Sequence, residues 1–132
     1  MLNPANPLPD SKEHAMTKPT PAPILPADSL VDLRERLRRF AAERDWAQFH
    51  TPKNLAMSVA IEAAEIMEHF QWRSAAESAD LDAAARHDVA LEIADVLLYL
   101  VRLADVLDID MAAAAREKIG LNAFKYPVQR GL

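Results

Sequence analysis

Apolar residues recur at helical spacing from Leu30 to Phe124, and polar interruptions divide that pattern into four segments. Leu30, Leu33, Leu37, Phe40 and Ala41 fall three and four apart. That spacing predicts a first helix, capped by Asp28 or Ser29 and fraying near Asp45. Thr51 followed by Pro52 is a start signal, because the hydroxyl can cap and the proline loses no hydrogen bond at the first helical position. A second helix should run from there to about Phe70. Gln71 to Asp82 is a polar connector with room for a short helical turn. A third helix is expected from about Ala83 to Leu107. Asp110 caps a fourth, which must stop before Tyr126-Pro127 because the residue before a proline avoids helical backbone. No segment alternates with the period of a strand. The expected fold is all-α, a four-helix-bundle-like arrangement.

The N-terminal part does not share this pattern. Seven of the nine prolines precede residue 27, which predicts a flexible extended arm over residues 1–27. The helical domain should cover residues 28–128, leaving a short tail at 129–132. Composition agrees with helices: 51% of residues are hydrophobic and only two are glycine. The absence of cysteine excludes disulfides and thiolate metal sites. A formal net charge of −5 argues against binding a nucleic-acid polymer, which calls for a basic face. No uncharged apolar run reaches the ~18 residues of a membrane span, and no basic-then-apolar leader opens the chain. A cytoplasmic protein with no membrane partner is therefore expected.

The third helix poses a problem. It is apolar on nearly every face from Ala90 to Ile109, yet Glu92 and Asp95 lie within it. Carboxylates in such a setting are costly unless something pairs with them. Glu62 and Glu65 repeat the same spacing on the second helix, and residues three apart share a face. If the second and third helices form an antiparallel hairpin, the four acids can converge. Their mutual repulsion is then relieved by protons or by a cation, and hard oxygen donors favour Mg²⁺ or Mn²⁺. The plainer alternative makes them surface acids or partners of Arg86 and Arg102. A di-iron site needs Glu-x-x-His on two helices, and none of the four histidines lies three residues after a glutamate.

Glu62-x-x-Glu65, then 26 residues, then Glu92-x-x-Asp95 resembles the signature of the MazG-like, all-α nucleoside triphosphate pyrophosphatases. The similarity also covers "ERDWAQFHTPKNLAMSVAIEAAEIMEHFQW", "EIADVLLYLVRLAD" and "KIGLNAFKYPV", which look like the dCTP pyrophosphatase branch. It extends over roughly residues 30–128 and leaves the proline-rich arm outside. The resemblance implies Mg²⁺-dependent hydrolysis of a nucleoside triphosphate to the monophosphate and pyrophosphate. Glu62, Glu65, Glu92 and Asp95 would be the metal ligands, with Glu65 also the candidate to orient or deprotonate the attacking water.

The other candidates are substrate contacts. Lys118, Asn122 and Lys125 recur on one side of the last helix, with Tyr126 just beyond. They are cations and donors suited to phosphates, although lysines near a helix C-terminus also complement its dipole. Trp46 and Trp72 flank the second helix and would, by resemblance, stack on the nucleobase; taken alone, each reads first as a packing residue at a helix end. Tyr99 shares a face with Asp95. Asn54 lies in the first turn of the second helix, and His50 just before it could help to cap it. One departure from the vertebrate dCTP enzymes is Leu37, where they carry a histidine, so the preferred base is left open. The apolar surplus of the third helix predicts a homodimer or homotetramer. Two other functions compete: a catalytically silent helical module that binds nucleotide or protein, and a pyrophosphohydrolase with another base preference, such as dUTP.

Overall fold

Each helix begins where a short polar side chain accepts from an exposed backbone N–H, which satisfies a group the helix itself leaves free. The computed structural model describes residues 29–128, so the proline-rich arm and the tail at 129–132 lie outside the described residues. Ser29 accepts from the Asp32 amide and opens α1, Leu30–Glu43. Thr51 does the same for the Asn54 amide and opens α2, Pro52–Glu68, with Pro52 in the first turn. Ser74 and Glu77 form a reciprocal capping box at α3, Ala75–Ala79. Asp82 caps α4, Ala83–Val106, and Asp110 caps α5, Met111–Lys125. The chain is all-α, and the connector's short turn is a separate helix, α3.

Helix α4 is the central rod. It packs against α2 over most of their common length and against α1 on another side. The buried apolar residues sit at these seams: Ala41 from α1, Leu55 from α2, and Val89, Val101 and Ala104 from α4. Contacts between α2 and α4 run in opposite sequence order. His50, just before α2, meets Arg102, whereas Glu65 farther along meets Glu92. The two helices are therefore antiparallel, the arrangement that lets acids from both converge.

Between α1 and α2 the chain turns sharply at Asp45, whose φ of 53° is left-handed, a region that Asp tolerates better than most residues. This turn folds a short 3-10 segment, Trp46–Gln48, back onto α1, where the Trp46 ring meets Phe40 edge-on at 5.5 Å between centroids. A charged chain also ties α1 to α4. Asp105 accepts from Arg38 of α1 through both oxygens and from Arg102 at 2.8 Å.

The apolar surplus of α4 is visible in a single chain, since Leu91, Ile93 and Leu100 remain exposed. Helix α5 is more extreme: every residue from Ala113 to Val128 is exposed, including Ile119, Leu121 and Phe124. Among the described residues, no helix is long and apolar enough to cross a membrane.

Candidate functional site

The antiparallel α2–α4 seam brings acids from both helices together. Glu62, Glu65 and Glu92 each offer a carboxylate oxygen, and the three oxygens lie within 4.8 Å of one another. Asp95, one turn farther along α4, is outside that tight group but close enough to raise Glu62. The Glu62 carboxyl is pushed above its ordinary value first by burial, then by the charges of Asp95 and Glu92. Glu65 is more exposed, and the charges of Glu62 and Glu92 are the main cause of its upward shift; burial and a hydrogen bond with Glu92 add to it. Each of the two resists ionisation, and a divalent cation would relieve both. The donor set is oxygen only, which fits a hard ion such as Mg²⁺.

The alternative of arginine-paired acids is not what the fold builds. Arg102 points to Asp105 and His50, and among the described residues no ion pair joins Arg86 or Arg102 to the four acids. The neighbour of the acids is instead His69, whose Nε2 lies 3.9 Å from Glu92 Oε1. Sequence reasoning passed over His69. Its signal was its place four residues after Glu65, on the same face of α2 and at the end of that helix.

Beside the acids lies a cavity of about 250 Å³. Leu37 and Phe40 of α1 form one wall, Trp46 and His50 another, and Asp95, Leu98 and Tyr99 of α4 a third. Its surface is mainly apolar, and Asp95 links it to the acid cluster. A second cavity of about 310 Å³ adjoins it, sharing Trp46, His50 and Tyr99 and adding Asn54 and Ser58. Leu37, noted as a departure from the vertebrate dCTP enzymes, thus faces the first cavity. The cap of α2 is Thr51, so His50 does not serve as the cap and instead borders both cavities. Asn54 donates from Nδ2 to the Phe49 carbonyl at 3.0 Å, bracing the loop that carries Trp46 and His50.

Five sequence candidates stand apart within one chain. Trp72, in the turn after α2, is 89% exposed, and Lys118, Asn122 and Lys125 on α5 and Tyr126 just beyond it are exposed too. None of the five lines either cavity. Lys125 rests over the Tyr126 ring at 5.2 Å, and the Asn122 carbonyl accepts from the Tyr126 amide.

The sequence model of the MazG-like family matches residues 57–132, from the second turn of α2 onward, all four acids included. The chain belongs to the MazG-like family. This MazG-like chain is 41% identical over 110 residues to dCTP pyrophosphatase 1 of Rattus norvegicus, covering 82% of this chain and 65% of that protein. The Homo sapiens protein of the same name is 40% identical over 104 residues, covering 77% and 61%. The chain thus spans less than two thirds of the length of these curated relatives. A pyrophosphatase of known structure from Archaeoglobus fulgidus superposes with a TM-score of 0.71 at 44% identity, over 75% of this chain and 93% of the other.

Proposed function

We propose that this MazG-like protein is a Mg²⁺-dependent nucleoside triphosphate pyrophosphohydrolase that acts on dCTP or a related or modified deoxynucleotide and so cleanses the cytoplasmic nucleotide pool. One observation carries the reading: three carboxylates from two helices converge within 4.8 Å, beside a mostly apolar cavity large enough for a pyrimidine. The names of its relatives, dCTP pyrophosphatase 1 and a pyrophosphatase, support the same chemistry.

Glu62, Glu65, Glu92 and Asp95 would hold the metal, with Mn²⁺ as a substitute. When bound, the ion would neutralise charge on the triphosphate and polarise its phosphoryl oxygens. Glu65, the most accessible of the clustered acids, orients the water and takes its proton. The water's lone pair forms the new phosphorus–oxygen bond, and the bridging α–β bond breaks with its electrons left on the bridging oxygen. The products are the nucleoside monophosphate and pyrophosphate. Trp46 and Tyr99 flank the base in the cavity, with His50 and Asn54 behind them.

Trp72, Lys118, Asn122, Lys125 and Tyr126 reach substrate from a second copy of the chain. The exposed apolar residues Ile119, Leu121 and Phe124 of α5 and Leu91 and Ile93 of α4 supply a surface for such a homodimer or homotetramer. A panel of dCTP, dTTP, dATP, dGTP and dUTP, incubated with MgCl₂ or with EDTA and resolved by ion-exchange chromatography, tests the reading. Monophosphate and pyrophosphate should appear in equal amounts, only with metal, and fastest from dCTP. No product from any nucleotide would leave the silent binding module, and fastest release from dUTP would reassign the base.

A further inference from the structure

His50 is held in an unusual way for a residue in a loop. Its Nδ1 lies 3.1 Å from Arg102 Nε, and that bond has one direction only, because a guanidinium donates and has no lone pair to offer. Nδ1 must therefore carry a lone pair, which leaves the ring proton on Nε2. Arg102 is itself fixed. Its Nη1 donates to Asp105 at 2.8 Å, its side chain is 13% exposed, and Asp105 is only 6% exposed. Arg38 of α1 holds the far side of Asp105 through both carboxylate oxygens. The Trp46 ring meets the imidazole edge-on at 5.9 Å and fixes its plane. Four residues, from α1 through α4 to the loop before α2, thus determine the tautomer of a single histidine.

That histidine borders both cavities. The walls contributed by Leu37, Phe40 and Leu98 have no donor, and Asp95 is an acceptor. Arg102 has committed Nε and Nη1 to His50 and Asp105, and its Nη2, the Tyr99 hydroxyl and the Trp46 indole N–H are the cavity's other donors. We propose that Arg102 is a positioning residue that holds His50 as the Nε2–H tautomer, and that this N–H is a donor of fixed tautomer offered by the cavity to an acceptor on the nucleobase, such as the 2-carbonyl oxygen of a pyrimidine. The assignment of the ligand rests on the pyrophosphohydrolase reading; the tautomer does not. Burial, and after it the charge of Arg102, push His50 below its ordinary value, so the imidazole is neutral at pH 7. A neutral ring fixed as a donor discriminates by hydrogen bonding rather than by charge.

Long-range ¹H–¹⁵N correlation on the ¹⁵N-histidine-labelled protein at pH 7 reads the tautomer directly, with His50→Asn identifying the signal. The wild-type ring should show a single Nε2–H pattern. Arg102→Met should give mixed tautomers and raise KM about tenfold, the scale of one lost hydrogen bond, while kcat changes much less. Arg102→Lys, which keeps a donor, should recover part of both effects. His50→Gln, which keeps a donor near the Nε2 position, should lose less affinity than His50→Asn, so the test survives if Arg102→Met does not fold. An Nδ1–H or doubly protonated His50 in the wild type overturns the proposal, as does an Arg102→Met protein with the wild-type tautomer and KM. If no nucleotide in the substrate panel is hydrolysed, the pyrophosphohydrolase reading falls and the donor's ligand with it, whereas the spectrum still decides the tautomer.

Discussion

Asp105→Asn should weaken the fold by an amount that shrinks as the pH falls. The side chain is 6% exposed and faces two arginines, of which Arg102 is 13% exposed and Arg38 about half exposed. The Arg38 arm is screened by solvent and contributes little. The Arg102 arm is different. Removing one member of a buried ion pair costs ~3–5 kcal/mol, because the remaining charge is left buried. Asparagine keeps one oxygen as an acceptor, so the low end applies, about 3 kcal/mol. For a domain of this size each kcal/mol moves Tm by ~4–8 °C, which predicts a fall of roughly 12–24 °C at pH 7. The sign with pH follows from linkage. The hydrogen bond from Arg38, helped by the charges of Arg38 and Arg102 and partly opposed by burial, holds the Asp105 carboxyl below its ordinary value. A depressed acid contributes stability above its unfolded pKa of ~3.9 and loses it as pH falls through the folded value. The gap between wild type and Asp105→Asn should therefore be full at pH 7 and narrow as the pH falls below about 3.9. Urea unfolding followed by circular dichroism at fixed protein concentration measures it at pH 7 and in acid. An unchanged midpoint at pH 7, or a gap that persists undiminished in acid, would refute the reasoning.

Glu62 and Glu65 act in the opposite sense. Both are raised, so their contribution to stability is present below about pH 4.3 and is lost as pH rises through the shifted values. Thermal scans of the metal-free protein should show this loss as the pH is raised above about 4.3, and MgCl₂ should reverse it at pH 7, by ~2.7 kcal/mol at a hundredfold excess over Kd. Glu65→Gln should stabilise the metal-free protein at pH 7, shrink the Mg²⁺ effect and abolish turnover with circular dichroism unchanged; wild-type turnover in this variant would remove Glu65 from the site. Trp72→Ala should raise KM more than it lowers kcat, as for a contact made equally in ground and transition states, and a large loss of kcat at constant KM would contradict that.

The helices were legible because their signals are local. Thr51-Pro52 and Asp110 mark their starts without reference to anything distant, and Glu62/Glu65 and Glu92/Asp95 share faces by helical period alone. Caps were less certain where two candidates adjoin: Ser29 rather than Asp28 accepts from Asp32. The Arg38–Asp105–Arg102–His50 chain was not legible, since its members are brought together from up to 67 residues apart by packing that no local pattern encodes. From the sequence alone, Arg102 reads as a partner for the four acids. The even spread of apolar residues over α4 hid which faces α1 and α2 would take, and the apolar residues of α5 did not foretell that the helix would be exposed from Ala113 onward.

Helix α4 works as a ruler. Glu92, Asp95, Tyr99 and Arg102 are all read off one continuous rod of 24 residues. At 1.5 Å per residue, Glu92 and Tyr99 are separated by about 10 Å along its axis, and no loop can stretch or shorten that interval. A one-residue insertion between Asp95 and Tyr99 would swing them about 100° apart and dismantle both ends together. Variation in what the cavity accepts must therefore be written elsewhere, on α1 at Leu37 and in the loop of Trp46 and His50, where a substitution can reshape one wall without resetting the scale.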